Sequence, residues 1–287
     1  MKGEEGMNRR EEGFRPDEIE ALSPEGKIAL ICTTDSVGRP HLSMLSSLMA
    51  LSPRSMAMGE FSVGRSKAYM QQRPDVGFFV MTLDRRIWRG SATWTGLATE
   101  GPEYRMFNEK PMFRYNSYFG INTVHYFDLL HLDEAGSLPL LPVATGMALS
   151  LPLRLPGLLG RGGAMNSWTH RFLARPDVLK FVGFVGADGL PCLVPALQST
   201  PWGSSHMVFP EVPWSKELRG IPEGASVALF GLSMKMEMVL VRGSYQRRKL
   251  LGPGLGTIAV DWVYNPMPPC HGQIYPPLPL EPVTVFE

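Results

Sequence analysis

The stretch GRPHLSMLSSLMALSPRSMAMGEFSVGRSKAYMQQRPDVGFFVM, Gly38–Met81, decides the fold, and at its centre stands Phe61-Ser62-Val63-Gly64-Arg65-Ser66-Lys67. Two β-rich runs lead into it, His41–Leu51 and Ser55–Phe61. A short helix is expected over Ser66–Arg73, stopped by Pro74, and a strand over Val76–Met81. A strand that delivers a glycine, two cations and a hydroxyl to the first turn of a helix makes an anion cradle. The free N–H groups and positive dipole end of the helix add to the charge of Arg65 and Lys67. Ser66 is equally a good N-cap, so a well-started helix accounts for the same residues without a ligand. The spacing matches no P-loop pattern.

Outward from this centre, Lys27–Thr34 (KIALICTT) reads as a buried strand and Asp35–Pro40 as a hairpin turn. Asp84-Arg85-Arg86 turns the chain into a further strand, Ile87–Ala98. Pro16–Leu22 is a short helix behind a charged tail, 1–15, expected to be disordered. These elements give a mainly β unit with short helices, expected over 16–102, and closing its antiparallel sheet into a β-barrel removes the exposed edges.

A connector is expected over 103–165, with a helix at Glu103–Asn108 and a strand candidate at Thr123–Leu132. Its aromatic run Phe113–Phe119 is either packed filling or, beside a ligand, a lid or substrate wall. The apolar run Leu138–Leu153 contains Pro139, Pro142 and Pro152. It falls short of the roughly 20 residues that span a bilayer and is read as buried strand and loop.

From Asn166 the pattern repeats. A helix is expected to Leu173, then strands at Val178–Val185, Pro191–Ser199, Ser205–Phe209, Ala225–Leu232 and Met236–Arg242, with a helical turn at Ser215–Arg219. Gly38-Arg39-Pro40 matches Gly189-Leu190-Pro191 (189 − 38 = 151), Ser66-Lys67 matches Ser215-Lys216 (215 − 66 = 149), and Arg89-Gly90-Ser91 matches Arg242-Gly243-Ser244 (242 − 89 = 153). Three matches in order at near-constant offset indicate a duplicated domain, its second copy expected over 166–262. The remainder, 263–287, is rich in proline and is read as an extended strap along the barrels.

A 44% hydrophobic content over 287 residues supports a real core, and a formal net charge of +1 gives no footprint for nucleic acid. No membrane partner is expected. Cys32, Cys192 and Cys270 are far apart and form no CxxC, which points to a reducing, cytoplasmic setting. His41, His125, His131, His170, His206 and His271 show no metal-ligand spacing, so no metal site is nominated. There is no Gly-x-Ser-x-Gly elbow and no Rossmann fingerprint.

The order of motifs from Gly38 to Met81 resembles the FMN-binding split barrels of the pyridoxamine 5′-phosphate oxidase-like superfamily. That pattern has a Gly-x-Pro hairpin, a strand ending near Ser/Arg-x-Lys, a short helix stopped by proline and a further strand. The resemblance covers Gly26–Gly101 well and Leu173–Gln246 more loosely. It implies two tandem split β-barrels with FMN at a barrel junction, its phosphate on Arg65, Ser66 and Lys67. Ser43, Ser46 and Ser47 would lie near the ribityl chain, Phe61 and Ser62 along the ring edge, and Trp88 and Arg89 would reach across from the neighbouring barrel. The junction would be made within one chain or between two chains of a homodimer.

The resemblance implies an FMN-dependent oxidoreductase acting on a small molecule, with NAD(P)H as a transient donor. No catalytic side chain is nominated, since the flavin carries the redox chemistry. Pyridoxamine phosphate oxidation is not expected, because the second strand offers Ser43 where those oxidases carry Arg and their C-terminal Arg-and-Trp motif is missing. The second copy has Trp214 where the first has Arg65, which implies a weakened site. Two alternatives remain: a haem-binding split barrel with His125, His131 or His271 as axial ligand, and a non-catalytic scaffold of tandem barrels.

Overall fold

The computed structural model describes residues 9–10, 12–61, 64–115, 120–154, 163–248, 254–267 and 271–278. Its first copy contains β1 (Lys27–Thr34), β2 (Pro40–Met44), β3 (Met49–Ala50), β4 (Ser55–Glu60), β5 (Asp75–Thr82), β6 (Arg86–Ala98) and β7 (Thr123–Asp133). Its second contains β8 (Leu179–Val185), β9 (Pro191–Pro195), β10 (Thr200–Trp202), β11 (His206–Pro210), β12 (Ser226–Leu232), β13 (Met238–Arg248) and β14 (Leu255–Asn265). The strand order is β2-β1-β5-β6-β7-β4-β3 in one sheet and β9-β8-β12-β13-β14-β11-β10 in the other. The two orders are the same, strand for strand. The chain is therefore mainly β, built of two tandem split barrels.

Register makes the duplication quantitative. Cys32 stands opposite Leu42 and Gly77, while Gly183 stands opposite Leu193 and Ala228. Each pair of counterparts differs by 151 (183 − 32, 193 − 42 and 228 − 77). Gly38 and Gly189, 151 apart, hold φ of +83° and +80°, the left-handed turn conformation that glycine adopts without a Cβ penalty. The expected match of Arg89 with Arg242 is corrected by two residues: Ser91 faces Gly77 as Arg242 faces Ala228.

β7 was expected in the connector, yet it pairs with both β6 and β4 and completes the first barrel. Its counterpart β14 runs past the expected end of the second barrel, and a further strand, β15 (Gly272–Tyr275), pairs with it from the proline-rich tail. Arg9–Arg10, in the expected disordered tail, pairs with the end of β7.

The helices are α1 (Pro16–Leu22), α2 (Arg65–Gln72), α3 (Pro102–Glu109), α4 (Pro111–Tyr115), α5 (Leu140–Ser150), α6 (Ser167–Ala174) and α7 (Ser215–Arg219). α5, with a 3-10 turn at Leu151–Arg154, replaces the strand and loop expected at Leu138–Leu153. Pro139 is its N-cap and Pro142 lies in its first turn, where no intrahelical N–H bond is lost.

The strands read as unbroken apolar runs because both faces are buried. On β1, Ala29 and Ile31 enter the first barrel's core, while Leu30 and Cys32 join a cluster shared with the second barrel. On β12, Val227 and Leu229 fill the second core, while Ala228 and Phe230 face the shared cluster. Close approach is enforced by glycine, since a Cβ on Gly77 would collide with the carbonyl oxygen of Pro191. Cys32 and Cys192 lie at this seam, and burial pushes the Cys32 thiol up.

One irregularity repeats in both copies. The β6–β7 register slips between Ser91 and Ala92, and the β13–β14 register slips between Arg242 and Gly243. The bulge shifts the in-out alternation, so Val260 and Val263 both face the barrel core while Trp262 and Tyr264 face the shared cluster. By the pairings on either side, His131 is the counterpart of Trp262.

Candidate functional site

α2 begins at Arg65, with Gly64 in extended backbone as N-cap, so Ser66 lies inside the first turn rather than capping it. Its buried hydroxyl is 2.6 Å from that of Ser43 on β2. Lys67 turns toward Glu60, with Nζ 3.5 Å from Oε1. His125 Nε2 is 2.7 Å from the other Glu60 oxygen, and Trp94 Nε1 donates to His125 Nδ1 at 3.2 Å. Burial works against the Glu60 charge, but the His125 bond and the Lys67 ammonium outweigh it and hold the carboxyl below its usual range. Burial pushes the Lys67 ammonium down, with Glu60 opposing.

Arg65 points the other way, to the barrel junction. Its guanidinium carbon sits 5.2 Å from the ring centre of Tyr264 and 6.0 Å from that of Trp262. These two rings stack at 5.1 Å with an interplanar angle of 8°. Arg242 lies over Trp262 at 4.4 Å, and its Nη1 is 3.8 Å from Asp35 Oδ2. His41 on β2 meets Tyr69, Tyr264 and Trp262 edge-on at 5.6, 5.3 and 6.2 Å. Its Nδ1 is buried without a hydrogen-bond partner. Burial first, then the charges of Arg65 and Arg242, push the His41 ring down to about 3, so it is neutral at physiological pH.

Two barrels thus contribute to one cluster: Asp35, His41, Arg65 and Tyr69 from the first, Arg242, Trp262 and Tyr264 from the second. It offers two cations, flat aromatic faces and an unpartnered buried nitrogen, which suits a planar anionic ligand.

The pseudo-equivalent position on the opposite side of the junction is closed. There Arg89 Nε binds Asp133 Oδ2 at 2.9 Å, and its Nη2 binds Glu217 of α7. Counting from the helix N-caps, Gly64 and Trp214, Glu217 occupies the third position, which is Lys67 in α2. The charge is reversed. The sequence match of Ser66-Lys67 with Ser215-Lys216 is therefore out of step by one.

Of the residues nominated from sequence, Ser43, Arg65, Ser66 and, through Glu60, Lys67 gather around α2. Ser47 is buried, donating to the Gly59 carbonyl at 2.7 Å, and Ser46 is half-buried in the same turn. Trp88 is corrected to a core residue, 1% exposed inside the first barrel. Arg89 does cross between barrels, but as the ion pair that closes the opposite site. Phe61 packs on Phe113 of α4 at 5.2 Å, away from the junction, because α3 and α4 bury Phe107 and Phe113 against β3, β4 and β7. Phe113 is accordingly packed filling, while Ser62 and 116–119 lie outside the described residues. Both ring nitrogens of His125 are engaged, which removes it as a haem ligand.

Sequence reasoning missed Asp35, His41, Tyr69, Arg242, Trp262 and Tyr264. The signal available was the spacing Trp262-x-Tyr264 at the end of a β-branched run, which places both rings on one strand face.

No protein-family model matches the chain, and no curated protein matches it. Solved structures similar to part of it include an FMN-binding protein from Syntrophomonas wolfei subsp. wolfei, with 15% identity, 42% of this chain and 86% of that one covered, and a TM-score of 0.35. HupZ of group A Streptococcus shows 14% identity, 44% and 98% coverage and a TM-score of 0.34. General stress protein 26 of Bacillus anthracis shows 11% identity, 42% and 97% coverage and a TM-score of 0.32.

Proposed function

We propose that the chain is an FMN-binding oxidoreductase with its cofactor site at the barrel junction beside α2. The observation that carries this reading is the convergence of Arg65 and Arg242, from different barrels, on the face of the same indole, Trp262. Like charges held together around aromatic rings favour an anion with a flat ring system. Arg65, Ser66, Ser43 and the α2 N-terminus would hold the phosphate, and Trp262 and Tyr264 would line the ring. FMN would supply hydride and electron transfer. His41, neutral, would present a hydrogen-bonding nitrogen without adding charge. Lys67 and Glu60 act one layer further in, where their ion pair fixes the first turn of α2 against β4.

The test is an absorption titration of the purified chain with FMN. Wild type should bind with a shift of the flavin bands. Arg65→Ala should weaken binding about tenfold or more, the cost of one charge-assisted contact being about 1.5–3 kcal/mol. Equal affinity in wild type and variant would overturn the site, and a wild type that binds no flavin would overturn the function. A second reading, a non-catalytic tandem scaffold, draws on the fact that Arg65, Ser66 and Lys67 each already touch a protein group. It predicts no flavin binding and a loss of stability in the same variant.

A further inference from the structure

The carboxylate ahead of α2 has a counterpart in the second barrel, and the two are satisfied differently. Glu60 ends β4, and Glu211, 151 residues on, directly follows β11. The same offset relates Met58 opposite His125 to Phe209 opposite Gly256. Both acids are buried, with 9% and 1% of their side chains exposed. Glu211 is held by guanidinium groups: Arg247 Nε donates to Oε1 at 2.7 Å and Arg219 Nε to Oε2 at 3.3 Å. The Tyr245 hydroxyl adds a bond to Oε1 at 3.2 Å. The first barrel has neither arginine. Leu97, opposite His125, stands where Arg247 stands opposite Gly256, and Tyr69, fifth from its helix N-cap, stands where Arg219 does.

Glu60 takes its partners from two other positions. His125 replaces Gly256 and bonds Oε2 at 2.7 Å; Trp94 donates to its Nδ1, so the ring proton on Nε2 is the one given to the carboxylate. Lys67 replaces Glu217 and supplies the cation, with Nζ 3.5 Å from Oε1. The His125 contact is tight and the Lys67 contact is loose. That ammonium also sits at the helix N-terminus, 3.8 Å from where a Cβ on Gly64 would stand, beside any anion held there.

We infer that Glu60 limits how tightly the α2 site holds a phosphate, because it keeps the Lys67 ammonium to itself. The inference rests on the flavin reading of that site, to which Arg242, Trp262 and the unpartnered nitrogen of His41 also contribute. An ammonium shared with a fixed carboxylate offers a phosphate little net attraction, and the carboxylate repels the same phosphate. Lysine suits this role, being a point charge on a flexible stem that can turn between two anions. The guanidinium groups on Glu211 are pinned instead, Arg247 donating also from Nη2 to the Arg219 carbonyl at 2.6 Å. The phosphate is then left to Arg65 and Ser66.

The test is absorption titration with FMN and with riboflavin, on wild type, Glu60→Gln, and Glu60→Gln combined with Lys67→Met. Glu60→Gln, which keeps an acceptor for His125, should tighten FMN about tenfold and leave riboflavin unchanged, and adding Lys67→Met should abolish the gain. Leu97→Arg, at a position 48% exposed, gives Glu60 the kind of partner that Glu211 has. It should tighten FMN as well, without removing a buried group, and it decides the matter if Glu60→Gln does not fold. Unchanged FMN affinity in both Glu60→Gln and Leu97→Arg, a gain shared by riboflavin, or a gain that survives Lys67→Met would each overturn the inference. If none of the proteins binds flavin, the flavin reading fails and thermal melting in inorganic phosphate decides this one. Phosphate should raise the Tm of Glu60→Gln more than that of wild type, and equal rises would overturn it.

Discussion

His41 shows how a single residue registers the chemistry of the junction. Its ring is enclosed by Tyr69, Trp262 and Tyr264, faces the charges of Arg65, Arg242 and Asp35, and has His271 nearby. Its folded value of about 3 lies below its ordinary 6.5, so between these limits the unfolded chain binds the extra proton. The stability gained by keeping the ring neutral is complete above 6.5 and is lost as pH falls toward 3. Urea unfolding at pH 7 and pH 4.5 should show wild type losing on the order of 2–3 kcal/mol more than His41→Gln over that interval. Parallel losses in the two proteins would remove His41 as the acid-sensitive group.

At the scale of elements, the two ends of the junction are held differently. Arg89 joins β6 to α7 through Glu217 and to β7 through Asp133, and its side chain is 16% exposed. Arg89→Leu, which copies its counterpart Leu240, leaves two carboxylates facing each other and should cost about 3 kcal/mol by chemical denaturation. Adding Glu217→Gln should recover part of that loss. A double variant no better than the single would show that Glu217 is not coupled to Arg89.

The same scale explains what could be read from the chain. β1, β5 and β12 were legible because two buried faces produce continuous β-branched and aromatic runs. α5 was not, since Pro139 and Pro142 look like breakers until they are seen at the N-cap and first turn, where proline is harmless. β14 was missed because its bulge breaks the alternation between Val260 and Val263, and the strand then merges with the proline-rich tail. Trp262 and Tyr264 were lost with it. The α2 cluster was half legible: the cations stand beside one another in sequence, but the aromatic wall comes from the other copy, some 200 residues away.

At the scale of the whole molecule, the pseudo-symmetric junction carries the proposed site, where Arg65 and Arg242 meet Trp262, on one side and the Arg89 ion pairs on the other. FMN titration monitored by absorbance should therefore end at one flavin per chain. An end point at two would show that Arg89, Asp133 and Glu217 do not close the second position. Because both barrels share one cluster within a single chain, the end point and affinity should be unchanged on dilution of the protein, as an intramolecular junction requires.

The covalent joining of the barrels has a consequence for how the two sides came to differ. In a pair of identical chains, any substitution at the interface is written twice, once on each side of the two-fold axis. A change that closed one position would close both, and an aromatic wall could not be gained on one side alone. Fusion lifts that constraint. His131 and Trp262 occupy the same place in the two barrels, as do Lys67 and Glu217 in the two helices, and each is free to serve a separate task. One barrel can act as the receptor and the other as its wall, a division of labour that identical subunits cannot inherit.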